Sequence, residues 1–310
     1  MMVPQEGCRT PAVGAPDDRA RTLRAAMIRL DAASILLEWS VGGLAFLWIT
    51  TRRREVGIGY GWLMRGVFGL LAAGSFVVGR ADGSGSARDA AAAAVVLALA
   101  AVLGVSILRR RAGVAGERAR VEARSARIAD MTGIERDGRG PDPTDPEFPP
   151  VLDLIAPAIG LVGLIAAGID GGSPAWLAVV RVVIGAAFLG SVTDAMLLGH
   201  WYLVQPGLAR GPLLELVRWT GLLWPFEVVA LLLPTGMVSV LTGRIDDGYN
   251  GILGWMWVTC AVTTIGLIFV TRAALKERQY SAVMAATGLL YLAILTAFGT
   301  DLVARALLAG

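Results

Sequence analysis

The sequence predicts an all-α, polytopic helical membrane protein with about eight transmembrane helices. Two observations carry this. Of 310 residues, 55% are apolar and the mean hydropathy is +0.63. Charged residues make up 17%, against the roughly 25% usual in a soluble chain. The apolar residues also gather into blocks of about twenty, the length a helix needs to cross roughly 30 Å of hydrocarbon. A division into two soluble domains by chain length alone therefore does not apply.

Residues 1–31 read as a polar leader. It lacks the apolar core of a signal peptide, and no hydrophobic stretch precedes Cys8 as a lipoprotein anchor would require. Within it, 18–30 has helical spacing, with Leu23, Met27 and Leu30 on one face and Arg19, Arg21 and Arg24 elsewhere. That fits either an interfacial helix or a solvated extension of the first span. Spans are expected at 32–51, 58–79 and 89–108, then at 151–169, 175–203, 212–241, 252–271 and 282–308. The fifth and sixth approach thirty residues, so they must tilt, protrude or be interrupted. Between the two groups of spans, 109–150 is Arg-rich and then Pro-rich. Its PDPTDPEFPP run holds no regular element. No internal repeat relates the two groups.

Charge placement predicts orientation. The net charge is only +3, but Arg52–Arg54, Arg109–Arg111, Arg210 and the Arg272–Lys276–Arg278 group fall in alternate loops. By the positive-inside rule these loops, 109–150 included, face the cytoplasm and both termini lie outside. The arginines of the leader argue the other way. The expected location is a cell membrane of bacterial inner-membrane type. Expected partners are the lipid bilayer and, through 109–150, other membrane proteins; nucleic acid is not expected.

Several chemistries are excluded outright. His200 is the only histidine, so no paired-histidine haem site exists within the chain. HExxH, Walker A and CxxCH motifs are absent. Cys8 and Cys260 form neither a disulfide framework nor a CxxC pair. No metal site and no cofactor is predicted. The run Gly57, Gly59, Gly61 lacks the preceding strand of a nucleotide loop and reads, like Gly160, Gly163 and Gly168, as close helix packing.

Polar residues at membrane depth are costly and therefore candidates for function. Asp194 falls near the midplane of span five, and Glu227 lies deeper in span six beside Trp224-Pro225-Phe226. A short loop joins these spans, so they should pack antiparallel and bring the two carboxylates together, as a proton or cation site requires. Separate satisfaction of each by a backbone group or an arginine is the plainer reading. Pro225, with Pro234, predicts a helix break beside Glu227. A second set, His200, Trp201, Tyr202, Arg218 and Arg65, lies nearer the cytoplasmic face. Trp201 and Tyr202 fit an aromatic belt, while His200 with Arg65 and Arg218 would suit a quinone or phosphate head group. Glu215 and Arg218 have the spacing to pair with each other. Asp301 and Arg305 form an i, i+4 pair on span eight, Arg181 and Glu38 lie at comparable depth, and together they read as a charge network that fixes packing. A small transporter or permease working through the midplane carboxylates fits best. A quinone-interacting or accessory redox subunit, or a membrane scaffold, are the alternatives. An enzyme fits worse, because no nucleophile–base pair stands out.

Overall fold

The computed structural model describes residues 31–83, 86–109, 133, 148–205, 208–233, 236–277 and 279–309. The leader and almost all of the 109–150 loop lie outside them. The first helix, α1 (Ala32–Thr51), begins where Asp31 supplies a cap: its carboxylate accepts from the Ala33 N–H at 3.1 Å and the Ser34 hydroxyl at 2.9 Å. Then follow α2 (Ile58–Ala81), α3 (Ser86–Leu108) and a 3₁₀ turn (Pro150–Leu154) that leads into α4 (Ile155–Gly171). The second group is α5 (Ala175–Val204), α6 (Gly211–Leu232), the short α7 (Gly236–Leu241), α8 (Ile252–Ala274) and α9 (Tyr280–Leu308). No strand occurs among the described residues.

Seven of these helices are long and apolar enough to cross a membrane. The 22-residue α6 has the length, about 33 Å at 1.5 Å per residue. It is less apolar because Glu215, Arg218 and Glu227 all fall within it. The expected span 212–241 is not one helix. It stops at Leu232 and resumes at Gly236, with Leu233 in extended conformation at ψ 155°. The residue before a proline is driven out of the helical region by the ring of that proline, and residue 234 is proline. Pro225, expected to break the helix, lies inside continuous α6. It removes one backbone donor, a loss that neighbouring helices in a bundle can absorb.

Two helices form the centre. In α1 and α5, 61% of the most apolar stretch is buried, against 39% or less in the other spans. The rest pack in two groups: α2 and α4 lie against α1 with α3 between them, and α6 and α9 lie against α5 with α8 between them; α4 also packs on α5. The α1–α5 contact is backbone against backbone. A methyl group on Gly42 would sit 1.8 Å from the Ala186 carbonyl oxygen, and one on Gly190 would sit 2.6 Å from the Gly42 Cα. Gly160 against Val41, Gly163 against Ala91 and Gly168 against Val179 have the same role around α4, as their spacing implied. Polar side chains add bonds between helices: Ser40 and Ser75 donate to the Phe68 and Ala33 carbonyls, and the Trp224 indole donates to that of Ala261. Away from water such bonds contribute about 0.6–2 kcal/mol each.

The loop before α8 is organised by Asp247. Its carboxylate accepts from the backbone N–H groups of Gly251 (2.8 Å), Tyr249 (2.9 Å) and Leu253 (2.9 Å). The Gly251 bond, helped by the others, holds this carboxyl below its ordinary value of 3.8.

Two predictions follow from this packing. Gly42→Ala will destabilise the protein by about 1–3 kcal/mol, the usual effect of overpacking. Gly66→Ala, at a position with open space around it, will be close to neutral; equal melting temperatures for the two variants in detergent would refute the α1–α5 contact. Because the Asp247 carboxyl is more acidic folded than unfolded, its contribution is complete above the unfolded value and fades as pH falls through the folded one. The stability gap between wild type and Asp247→Asn should therefore be full above about pH 5 and shrink below about pH 4. Melting curves across that range test it.

Candidate functional site

The site is built at the end of the bundle where α1 and α5 begin and α6 and α9 end. Successive turns of α9 put Asp301 and Arg305 on one face, and the Arg305 Nε lies 2.9 and 2.8 Å from the two Asp301 oxygens. The other two guanidinium nitrogens reach across to α1 and donate to both oxygens of Glu38, Nη1 at 3.0 Å. All three residues are fully buried. Gly185 of α5 makes the room: a methyl group there would stand 3.3 Å from Arg305 Nη2 and 3.4 Å from Glu38 Oε2. Of the four residues expected to form a charge network, Asp301, Arg305 and Glu38 do so, with Arg305 as the bridge.

Arg181, on α5, turns instead to the interrupted end of α6. Its Nε donates to the Ala230 carbonyl at 2.9 Å and its Nη2 to the Leu233 carbonyl. These belong to the last turn of the helix, where carbonyls lose their intrahelical partners and a cation is favoured. Gly236, the first residue of α7, passes so close that a methyl group on it would lie 2.2 Å from the Leu231 oxygen and 3.2 Å from Arg181 Nη2.

Glu227 lies between these two arrangements. It is 1% exposed, and neither carboxylate oxygen has a hydrogen-bond partner. The charges that act on it are those of Asp301, Arg305, Glu38 and Arg181. The group thus holds three carboxylic residues and two guanidiniums. Buried polar atoms are nearly always bonded, so an unpartnered carboxylate in such company is a candidate for function. Among the described residues, no three His, Cys, Asp or Glu side chains are close enough to hold a metal ion.

Asp194 is a separate centre. It too is fully buried with both oxygens unpartnered. Its neighbour is Tyr60 of α2, whose hydroxyl is buried and unpartnered as well. The Arg181–Ala230 bond fixes the register of α5 on α6. Asp194 lies thirteen residues beyond Arg181 and Glu227 three before Ala230, so about 15 Å of axial distance separates them at 1.5 Å per residue. The two carboxylates expected to share a site stand at different levels of the bundle.

The second expected set is also dispersed. Arg65 is buried at the opposite end, where its Nε and Nη2 meet the two Asp153 oxygens at 2.8 and 2.9 Å and its guanidinium lies 4.6 Å over the Phe148 ring. His200 is exposed and its Nδ1 is 3.0 Å from the Tyr291 hydroxyl. Trp201 packs against Tyr60 at 5.9 Å between ring centres, and Tyr202 donates to the Ala209 carbonyl. Arg218 is exposed on α6, and its expected partner Glu215 pairs with Arg52 and Arg53. Each residue thus has its own surroundings, and they do not enclose one head group. Sequence reasoning passed over Tyr60 and Asp153. The first looks like an aromatic at a span end, and the second falls at a boundary where acids are unremarkable.

This fold, with charged groups enclosed among apolar helices, defines a polytopic α-helical membrane protein. Compared with protein-family models, with curated proteins and with solved structures, the chain matches none.

The Arg65–Asp153 pair yields a stability prediction. Asp153→Ala leaves a buried guanidinium unpaired, a loss of about 3–5 kcal/mol, and replacing both partners by apolar residues, Arg65→Met with Asp153→Leu, should recover most of it. Chemical denaturation in detergent measures both. A double variant no better than the single one would show that the pair is not what matters there.

Proposed function

We propose that the protein is a small transporter or permease, and that Glu227 is the group that takes up and releases a proton or a monovalent cation during its cycle. The observation that carries this is the unpartnered, enclosed Glu227 carboxylate beside a bridge whose guanidinium is already bound by two other carboxylates. Arg305 binds both Glu38 and Asp301, and Arg181 is engaged by the carbonyls at the end of α6. With three acids against two bases, the group is one positive charge short, and a net buried charge is expensive. An exchangeable proton or cation on Glu227 removes that deficit.

The interruption after Leu232 supports the same reading. Discontinuous helices in transporters place half-helix ends and free carbonyls at the substrate or ion site, and here the break lies within two turns of Glu227. Asp194 with Tyr60 would form a second station about 15 Å further along the bundle. With the Arg-rich loops in the cytoplasm, Glu227 belongs to the outer half and Asp194 to the middle, the order a proton would meet on entering.

Infrared spectroscopy of the purified protein in detergent, titrated between acid and alkaline pH, tests the assignment without knowledge of the substrate. The carbonyl band of a protonated carboxyl group should change with pH in wild type, and the Glu227 share of that change should be missing in Glu227→Gln. In vesicles, Glu227→Gln should abolish pH- or ion-dependent solute uptake, and Asp194→Asn should slow or abolish it. Unchanged bands and unchanged flux in Glu227→Gln would end the proposal.

A further inference from the structure

At the end of the bundle away from Glu227, an open groove of about 390 Å³ runs between the loop after α1 and the first turns of α6. Arg53, Glu215, Arg218 and Trp219 line it, with Leu222 at its lower edge. Its charge is unbalanced. Glu215 lines the groove and is already bound by Arg52 and contacted by Arg53 at 3.6 Å; a second acid, Glu55, stands at its edge, 3.4 Å from where a methyl group on Gly211 would lie. Arg218 is exposed and makes no ion pair or hydrogen bond among the described residues. Arg53 is also half-exposed. Three guanidiniums thus meet two carboxylates, and Arg53 and Arg218 face open space.

The depth of Arg218 narrows the choice of ligand. It lies seven residues after the first residue of α6, about 10 Å along the axis. That is deeper than a soluble anion needs, but within reach of the head-group zone for a long side chain that snorkels. Trp219 beside it is partly exposed and packs edge-on against Phe46, the position of an interfacial aromatic anchor. Directly below, Leu222, Phe226, Val229 and Leu233 are each about half exposed. At intervals of four, three and four residues they form one apolar strip down the same face of α6, ending on Leu233, the residue that caps it. A cationic groove at head-group level therefore continues into an apolar track of acyl-chain length.

We infer that this groove binds an anionic phospholipid, its phosphate held between Arg53 and Arg218 and one acyl chain laid along Leu222, Phe226, Val229 and Leu233. The shared chemistry is that of a phosphate, and the apolar strip is what selects a lipid over a free ion. Arg218 is the discriminating contact, because its charge is not used elsewhere in the groove.

The test uses the whole protein, purified in neutral detergent, relipidated with phosphatidylglycerol or phosphatidylcholine, washed, and assayed for retained lipid by mass spectrometry. Phosphatidylglycerol should be retained in preference, and Arg218→Ala should retain about fivefold less, the effect of one interfacial cation. Arg53→Ala should lose a similar share, and Arg218→Lys should keep most of it. Size-exclusion profiles of the variants report folding; should Arg218→Ala aggregate, Arg218→Gln carries the same prediction. Equal retention of the two lipids, or of phosphatidylglycerol by wild type and the folded Arg218 variant, would overturn the inference. So would displacement of the lipid by inorganic phosphate at modest concentration, which would mark the groove as a site for the free ion.

Discussion

The rest of the structure depends on how closely α1 and α5 approach. Gly42 and Gly190 bring two backbones into direct contact, and no hydrophobic effect drives helices together inside a bilayer. What holds them is close packing, and close packing is available only where side chains are small. The same stripe of α5 serves a second purpose one turn away. At Gly185 the missing side chain becomes the space in which the Arg305 guanidinium meets Glu38. Packing and electrostatics are thus set by neighbouring residues of a single helix, and α1 cannot be displaced without uncovering the buried charges.

Those charges define what the bundle can do. Arg305 is bound on two sides by carboxylates from different helices, an arrangement that fixes α1 against α9 and makes no bond to Glu227. Arg181 is turned toward carbonyls. The enclosed carboxylate is left without a bond, although every other charged side chain around it has one. A purely structural network would be expected to close on itself. This one does not, and the residue left over lies next to the place where a helix stops and starts again.

How far the sequence revealed this depended on the kind of signal. The first span was legible to the residue, because apolar length and the Asp31 cap agree at Ala32–Thr51. The sixth, expected to tilt, protrude or be interrupted, is interrupted at Leu233, where the proline that follows drives its predecessor out of the helical region. Of the two prolines in that span, Pro225 drew attention by standing next to Glu227, yet the helix runs through it. Asp301 and Arg305 were paired by their i, i+4 spacing, and Glu38 by depth; the bond across 267 residues needed the fold. Asp194 and Glu227 were each recognisable as costly polar groups. Their separation was not, because it follows from the register of α5 on α6, and no pattern within either helix encodes that.

The bond from Arg181 to the end of α6 has a mechanical meaning. A helix terminus is ordinarily completed by its own flanking residues, so it frays and bends independently of its neighbours. Here the completing group stands on α5, so the last turn of α6 cannot fray without pulling a guanidinium of another helix from the Ala230 and Leu233 carbonyls.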